Sequence, residues 1–208
     1  GCTNTAKTTV VVNPTPQVSA SSNTPVCNGD NISLTATFTA GGTSTTASTW
    51  SWTGPNGFTS ISQNPTLNNV TSLASGTYTV AITDNNGCVS SNAFTITQPN
   101  FLLANATLSA PILCFNGQAT VNVSATGGTL PYTGVGNYFP VVGTYSYIVT
   151  DANGCSDTAT ITITQPSQLV ASVSLVTPIT CFGGQATVNI VASGGVGPYT
   201  GVGNINVS

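Results

Sequence analysis

Alternation of period two runs along much of this chain. Ile32-Ser33-Leu34-Thr35-Ala36-Thr37-Phe38, Tyr78-Thr79-Val80-Ala81-Ile82 and Ala159-Thr160-Ile161-Thr162-Ile163 put apolar side chains on one face of an extended segment and small or polar ones on the other. Val, Ile and Thr dominate these runs, and β-branched side chains suit a half-buried pleated surface. Gly, Pro and Asn interrupt them at intervals of roughly 8 to 12 residues. No stretch has an apolar stripe of helical period with caps at its ends. The pattern predicts an all-β chain, and short, evenly spaced strands favour β-sandwiches.

The strands belong to a repeat. Cys114-Phe115-Asn116-Gly117-Gln118-Ala119-Thr120-Val121-Asn122 returns as Cys181-Phe182-Gly183-Gly184-Gln185-Ala186-Thr187-Val188-Asn189, 67 residues on. At the same offset Thr83-Asp84-Asn85-Asn86-Gly87-Cys88 returns as Thr150-Asp151-Ala152-Asn153-Gly154-Cys155, Gln98-Pro99 returns as Gln165-Pro166, and 131–137 returns at 198–204. Gly1-Cys2 matches Gly87-Cys88 at a longer offset of 86. These matches divide the chain into four parts. Residues 1–13 read as the last strand of a preceding domain, 14–98 as a longer complete domain, 99–165 as a short complete repeat, and 166–208 as a short repeat cut near its middle. The chain therefore reads as a window on a longer protein.

Composition narrows the function. The 208 residues include four Asp (Asp30, Asp84, Asp151, Asp157), one Lys (Lys7) and no Glu, Arg, His or Met. Charged residues are 2% of the chain, against about 25% in a typical soluble protein, so 37 Thr and 22 Ser must meet the water instead. Without His the usual proton shuttle near neutral pH is missing. One Lys cannot neutralise a run of phosphates, which excludes nucleic acid as a partner. Four scattered Asp do not make a calcium loop. The absence of His and of any C-x-x-C argues against zinc. The longest apolar runs are too short to span a membrane. No enzymatic constellation, cofactor or metal is expected. Low charge does not imply disorder, because 39% hydrophobic residues and a net charge of −3 permit a core.

Residues 28–98 resemble an immunoglobulin-like domain. Ile32-Ser33-Leu34-Thr35-Ala36 fits strand B, and Trp50-Ser51-Trp52 fits strand C with a core tryptophan. Leu67-Asn68-Asn69-Val70-Thr71 and Ser75-Gly76-Thr77-Tyr78-Thr79-Val80 fit strand E, the E–F corner and strand F, with Tyr78 as the corner tyrosine. Ala36 and Val80 stand where antibody domains place their core cysteines. Trp52, Tyr78 and, in the short repeat, Tyr145 are the expected core aromatics. The cysteines fall in turns instead. Cys27 precedes strand B and Cys88 follows strand F. These strands run parallel in this topology, so the two cysteines should lie more than roughly 25 Å apart. A disulfide needs Cα atoms within about 7 Å. Pairing between neighbours is therefore favoured, with Cys27–Cys155 as an inter-domain staple and the partners of Cys2, Cys88, Cys114 and Cys181 lying outside this window on the longer protein. The alternative is Cys27–Cys88 and Cys114–Cys155, each inside one domain. Either arrangement points to an oxidising, extracellular compartment.

The short repeats resemble the SprB repeat of Bacteroidota cell-surface proteins. The likeness lies in Pro178-Ile179-Thr180-Cys181-Phe182-Gly183-Gly184-Gln185-Ala186-Thr187-Val188, Ser193-Gly194-Gly195 with Pro198-Tyr199, Gly143-Thr144-Tyr145, Thr150-Asp151-Ala152-Asn153-Gly154-Cys155, and Ile163-Thr164-Gln165-Pro166. The longer domain resembles a companion immunoglobulin- or PKD-like module through Trp52-Thr53-Gly54-Pro55-Asn56-Gly57-Phe58 and Gln63-Asn64-Pro65. Together these cover essentially the whole chain. The resemblance implies a very large secreted protein, exported by the type IX system and acting as an adhesin in gliding or surface attachment.

Other candidates have plainer readings. Asp84 and Asp151 open D-x-N-G turns. Asp157-Thr158-Ala159 fits the Asp-Ser/Thr-apolar pattern of O-glycosylation in that bacterial group, which makes Thr158 the glycosylation candidate. Thr35, Thr37 and Thr39, or Thr160, Thr162 and Thr164, form hydroxyl ladders that suit ice, glycans or plain solvent. Trp50, Tyr132, Tyr138, Phe115 and Phe182 could stack on sugar rings or fill joints between domains. The reading that joins these signs is tandem immunoglobulin-like β-sandwiches arranged end to end, a stalk at the cell surface. Its partners would be neighbouring repeats of the same chain and other copies in a fibre. The alternative is an adhesive module that binds surface glycans through exposed aromatics and hydroxyls.

Overall fold

The computed structural model describes residues 1–12, 14–39 and 47–208, with Ser48 described by its backbone alone. Contacts divide the chain into two compact units. The first holds Gly1–Leu102 with the turns Gly127–Leu130 and Asp151–Cys155. The second holds Leu103–Thr126, Pro131–Thr150 and Ser156–Ser208.

Seven described strands build the first unit: β1 (Gln17–Ser22), β2 (Ile32–Thr39), β3 (Ala47–Thr53), β4 (Thr59–Ser60), β5 (Thr66–Leu67), β6 (Gly76–Asp84) and β7 (Val89–Ile96). They pair antiparallel in two sheets, β1-β2-β5 and β4-β3-β6-β7. In immunoglobulin lettering these are A-B-E and C′-C-F-G, so the topology is immunoglobulin-like. Strand β2 shows how the sequence sets the faces. Ile32, Leu34 and Ala36 are buried, while Ser33, Thr35 and Thr37 are exposed. Val18, Trp52, Val70, Tyr78, Val80, Ile82 and Ile96 complete the apolar cluster. Ala36 and Val80, at the antibody cysteine positions, are both buried in it.

Polar atoms of the buried aromatics find partners, as burial requires. Trp52 donates its indole N–H to the Gln63 carbonyl at 3.2 Å. The Tyr78 hydroxyl donates to the Ala74 carbonyl at 3.0 Å, four residues back. That bond is the tyrosine corner of the immunoglobulin fold. Residues 1–12 are exposed and form no strand. Asn13, the end of the strand expected over 1–13, lies outside the described residues.

The second unit contains β8 (Leu103–Ala110), β9 (Thr120–Thr126), β10 (Gly136–Tyr138), β11 (Gly143–Thr150), β12 (Ser156–Ile163), β13 (Val170–Thr177), β14 (Ala186–Ser193) and β15 (Gly203–Val207). Its sheets are β10-β9-β8, β11-β12 and β13-β14-β15. Ile112, Ala119, Val121 and Val123 gather with Val149 of β11 and Ile163 of β12 in a second cluster. The short repeat closes this core with less chain. An isolated bridge, Thr133–Thr150, stands where the longer domain has β3, and β10 pairs directly with β9.

Strands β13, β14 and β15 repeat β8, β9 and β10 in register. The bulge between Leu108 and Ala110 recurs between Leu175 and Thr177, and Gly136↔Val123 recurs as Gly203↔Ile190. What differs is the cover. No second sheet lies over β13-β14-β15 among the described residues. Ile112 is 4% exposed and its counterpart Ile179 is 52% exposed. Val121 and Val123 are buried, while Val188 and Ile190 are half-buried.

Candidate functional site: the cysteine turns

Two kinds of turn carry most of the cysteines. The first kind begins with one. Cys27 O accepts from Asp30 N–H at 3.0 Å, Cys114 O from Gly117 N–H at 2.9 Å, and Cys181 O from Gly184 N–H at 2.9 Å. The third residue is left-handed each time, with φ of 91° at Gly29, 59° at Asn116 and 76° at Gly183. Gly and Asn are the residues that tolerate that backbone.

The second kind ends on cysteine and is organised by a buried aspartate. Asp151 Oδ1 accepts from Asn153 N–H and Cys155 N–H, both at 2.9 Å. Asp151 N–H donates to Cys155 O at 2.9 Å, and Gly154 N–H to Asp151 O at 3.1 Å. The Cys88 turn matches bond for bond. Asp84 Oδ1 accepts from Asn86 N–H at 2.9 Å and Cys88 N–H at 2.8 Å. Asp84 N–H donates to Cys88 O at 2.9 Å, and Gly87 N–H to Asp84 O at 3.0 Å. Both turns therefore fix the cysteine backbone through one carboxylate oxygen, with no help from the thiol.

The other carboxylate oxygen separates the two turns. Asp151 Oδ2 accepts from Thr129 N–H at 2.9 Å. Ala152 N–H donates to Thr129 O and Asn153 Nδ2 to Thr129 Oγ1, both at 2.9 Å. Asp84 Oδ2 is buried and has no partner among the described residues.

Cys27 and Cys155 are joined, with Cα atoms 5.4 Å apart at a sequence separation of 128. The intradomain pairs Cys27–Cys88 and Cys114–Cys155 are not formed. Cys2, Cys88, Cys114 and Cys181 are free, and all but half-buried Cys88 are exposed. A glutamine anchors the chain beside the bonded turn. Gln98, only 6% exposed, accepts from Val26 N–H and donates to Val26 O, both at 3.1 Å. Gln165 plays a related part, with its Oε1 accepting from Asn116 N–H at 3.0 Å. The Gln98-Pro99 and Gln165-Pro166 repeat signalled these residues, but only the folded chain reveals what their amides hold.

The remaining candidates scatter. Trp52 and Tyr78 are fully buried, whereas Tyr145 is half-buried at the margin of the second cluster. Trp50 packs on the first cluster and Tyr132 and Tyr138 on the second. Phe115 and Phe182 stand exposed beside their cysteines. Tyr147, which the sequence reading passed over, lies with ring centroids 4.5 Å from Tyr138 and 6.4 Å from Tyr145. Burial, then the neighbouring Tyr145 and Tyr138, raise the Tyr147 pKa above its ordinary value. Thr158 is exposed on β12, and the neighbouring Asp157 carboxylate accepts from Ala104 N–H at 2.8 Å. The Thr35, Thr37, Thr39 and Thr160, Thr162, Thr164 ladders are exposed. Hydroxyls pair across strands at Thr144–Thr162, 3.0 Å, and Ser146–Thr160, 3.1 Å. Among the described residues no three metal-ligating side chains converge, and no helix is long and apolar enough to cross a membrane.

No protein-family model and no curated protein matches the chain. Solved structures do. The three N-terminal domains of the bacteriophage RB49 highly immunogenic outer capsid protein align with 91% of this chain and 72% of that one, at 18% identity and a TM-score of 0.45. The amphioxus IgVJ-C2 molecule aligns with 42% of this chain and 46% of that one, at 24% identity and a TM-score of 0.34. Murine CEACAM1b aligns with 72% of this chain and all of that one, at 11% identity and a TM-score of 0.39. The alignment with the amphioxus molecule thus spans just under half of that molecule's length. The immunoglobulin-like assignment rests on the strand order and the Tyr78 corner rather than on these alignments.

Proposed function

We propose that this chain is a stalk segment of a very large cell-surface adhesin or surface filament of the SprB-repeat kind. Its immunoglobulin-like sandwiches would stand in series, end to end, and their work would be mechanical. The observation that carries this reading is the Cys27–Cys155 disulfide, which ties the turn before β2 to the turn after β11. In this reading the bond staples neighbouring domains. Gln98 supports it by holding Val26 immediately before Pro99, so the linker starts from a fixed point. A joint fastened at two places resists swinging. With one Lys and four Asp, the joint also has little charge for salt to screen. A disulfide-bonded stalk belongs outside the cell, where such bonds persist. That place fits type IX export and a role in gliding or attachment. Thr158, exposed on its strand, is where an O-glycan would add hydrophilic cover; an unmodified intact mass of the native protein would remove that part of the proposal.

Small-angle X-ray scattering of the oxidised and the reduced chain tests the stalk. The oxidised chain is expected to give an extended particle with one narrow distance distribution, and reduction should broaden it. Scattering of the oxidised chain that fits freely jointed domains would overturn the reading. The exposure of Phe115 and Phe182 favours a glycan-binding module as the second reading. Binding on a glycan array that is lost in Phe115→Ala and Phe182→Ala would put that reading first.

A further inference from the structure

We infer that the open edge of β11 pairs two copies of this chain, β11 against β11, into one four-stranded sheet. The inference stands on the backbone of the short repeat and does not depend on the stalk reading. In the longer domain β6 lies between β3 and β7. Its counterpart β11 has β12 on one side and, on the other, only the Thr133–Thr150 bridge among the described residues. Thr150 N–H donates to Thr133 O at 3.1 Å and Thr133 N–H to Thr150 O at 2.8 Å, so the backbone groups of Thr150 point away from β12. The β11–β12 register runs from Gly143 to Thr150 without a shift. Alternation along the strand therefore turns the N–H and C=O of Ile148, Ser146 and Thr144 the same way. Gly134 covers the first of these, since a Cβ there would collide with Ile148 O. Thr144 and Ser146 are left with two donors and two acceptors that no described strand meets.

Charge, proline or a bulge ordinarily guards such an edge, because a row of open N–H and C=O groups is a template for another strand. Residues 143–150 carry no charged side chain, no proline and no bulge. The edge is also complementary to itself. A two-fold axis at Tyr145 sets Thr144 of each copy opposite Ser146 of the other, and those two pairs close four backbone hydrogen bonds. Tyr145 then meets Tyr145 in a non-hydrogen-bonded pair, where side chains come closest, and Tyr147 faces Gly143, which has no side chain to obstruct the ring. Both tyrosines are half-buried and pack on the cluster of Val121, Val123 and Val149, so the pairing continues that core from one copy into the other. On the outer face Thr144 and Ser146 already share hydroxyl bonds with Thr162 and Thr160, and the added strand widens that polar ladder. No like charges meet, because the second copy presents the same uncharged strand. The contact uses the same patch on both copies, so it closes as a pair.

Sedimentation equilibrium of the oxidised chain, with its free thiols capped by iodoacetamide to prevent disulfide multimers, reads the association. The weight-average mass should climb with concentration toward twice that of the monomer, and in Ser146→Pro it should stay at the monomer value. Ser146 N–H points outward, so proline there removes no β11–β12 bond, and the circular dichroism of the variant should match that of the parent chain. Amide exchange followed by nuclear magnetic resonance locates the contact. In the parent chain the Thr144 and Ser146 amides should exchange at least about tenfold more slowly at high concentration than at low, while those of Tyr145 and Tyr147, bonded to β12, are protected at both. A monomer mass at every concentration would overturn the inference. So would a dimer undiminished in a folded Ser146→Pro, or Thr144 and Ser146 amides whose exchange ignores concentration. Should Ser146→Pro lose the parent's circular dichroism, the exchange contrast in the parent chain decides alone.

Discussion

Asp151 accepts three backbone N–H donors while nearly excluded from water, and the position of Cys155 follows from those bonds. Hydrogen bonds to a charged group are worth about 1.5–3 kcal/mol each, and the loss is greatest where the orphaned donors cannot reach water. Asp151→Ala should therefore destabilise the oxidised chain by about 3 kcal/mol in urea denaturation. Asp151→Asn keeps an acceptor for the turn but faces its amide toward Thr129 N–H, and should cost roughly half as much. Asp84→Ala should cost less than Asp151→Ala, because Asp84 Oδ2 has no partner among the described residues to lose. The D-x-N-G turn itself is legible in sequence, since Asp, Asn and Gly announce it locally. The Thr129 clamp is not, because its donor lies 22 residues away and arrives only through tertiary folding. Tyrosines set the response to alkali. Burial raises the Tyr78 pKa, and burial with its tyrosine neighbours raises that of Tyr147. Above pH of about 10 the unfolded chain releases these protons before the folded one does, so the folded state loses ground as pH rises. Denaturation midpoints should be level from about pH 6 to 9 and fall beyond about 10. Tyr78→Phe should be less stable at neutral pH, having lost the corner bond, and should fall less steeply in alkali.

The β11–β12 hairpin decides which apolar sheet becomes a core. It covers the β8–β10 sheet, while the matching β13–β15 sheet has no such cover among the described residues. Identical chemistry should then have unequal worth. Ile112→Ala, at 4% exposure, should cost about 2–5 kcal/mol. Ile179→Ala, at 52% exposure, should change stability by no more than about 0.5 kcal/mol. Differential scanning calorimetry of the two variants checks the contrast, and equal losses would refute it. Hydrogen exchange should likewise protect β9 amides more than those of β14. Strand positions were legible because alternation is local. The half sandwich in 166–208 was legible too, from the 67-residue repeat; the packing inside a complete layer was not, since it depends on which strands the connecting chain can supply. Tyr145 illustrates the limit. It shares its Gly-Thr-Tyr setting with Tyr78, whose ring Phe58 and Phe94 flank with centroids at 5.7 and 6.3 Å. In the short repeat a lone bridge at Thr133 stands where the longer domain has β3, and Tyr145 is left half-buried. There Tyr138 makes the hydroxyl bond four residues back, to Gly134 O at 3.0 Å.

At the scale of the molecule, the disulfide changes how the chain answers to tension. The D-x-N-G-C sequence does not tell Cys88 from Cys155 as the partner of Cys27, because both turns fix their cysteine through the same carboxylate and backbone bonds; strand length and direction make the choice. The bond that results closes a covalent loop between residues 128 apart in sequence. Force applied at the two ends passes through the sulfur atoms, and the enclosed residues cannot be drawn out even if they unfold. Released, they would add roughly 3.3–3.6 Å each, or about 440 Å of contour length. Pulling the oxidised chain by its termini should therefore give a full extension about 440 Å shorter than pulling it in reductant. Cys27→Ser should give the long value without reductant. Equal extensions in both states would mean that the bond does not enclose this loop. A series of such loops would let tandem domains unfold inside them without lengthening the chain.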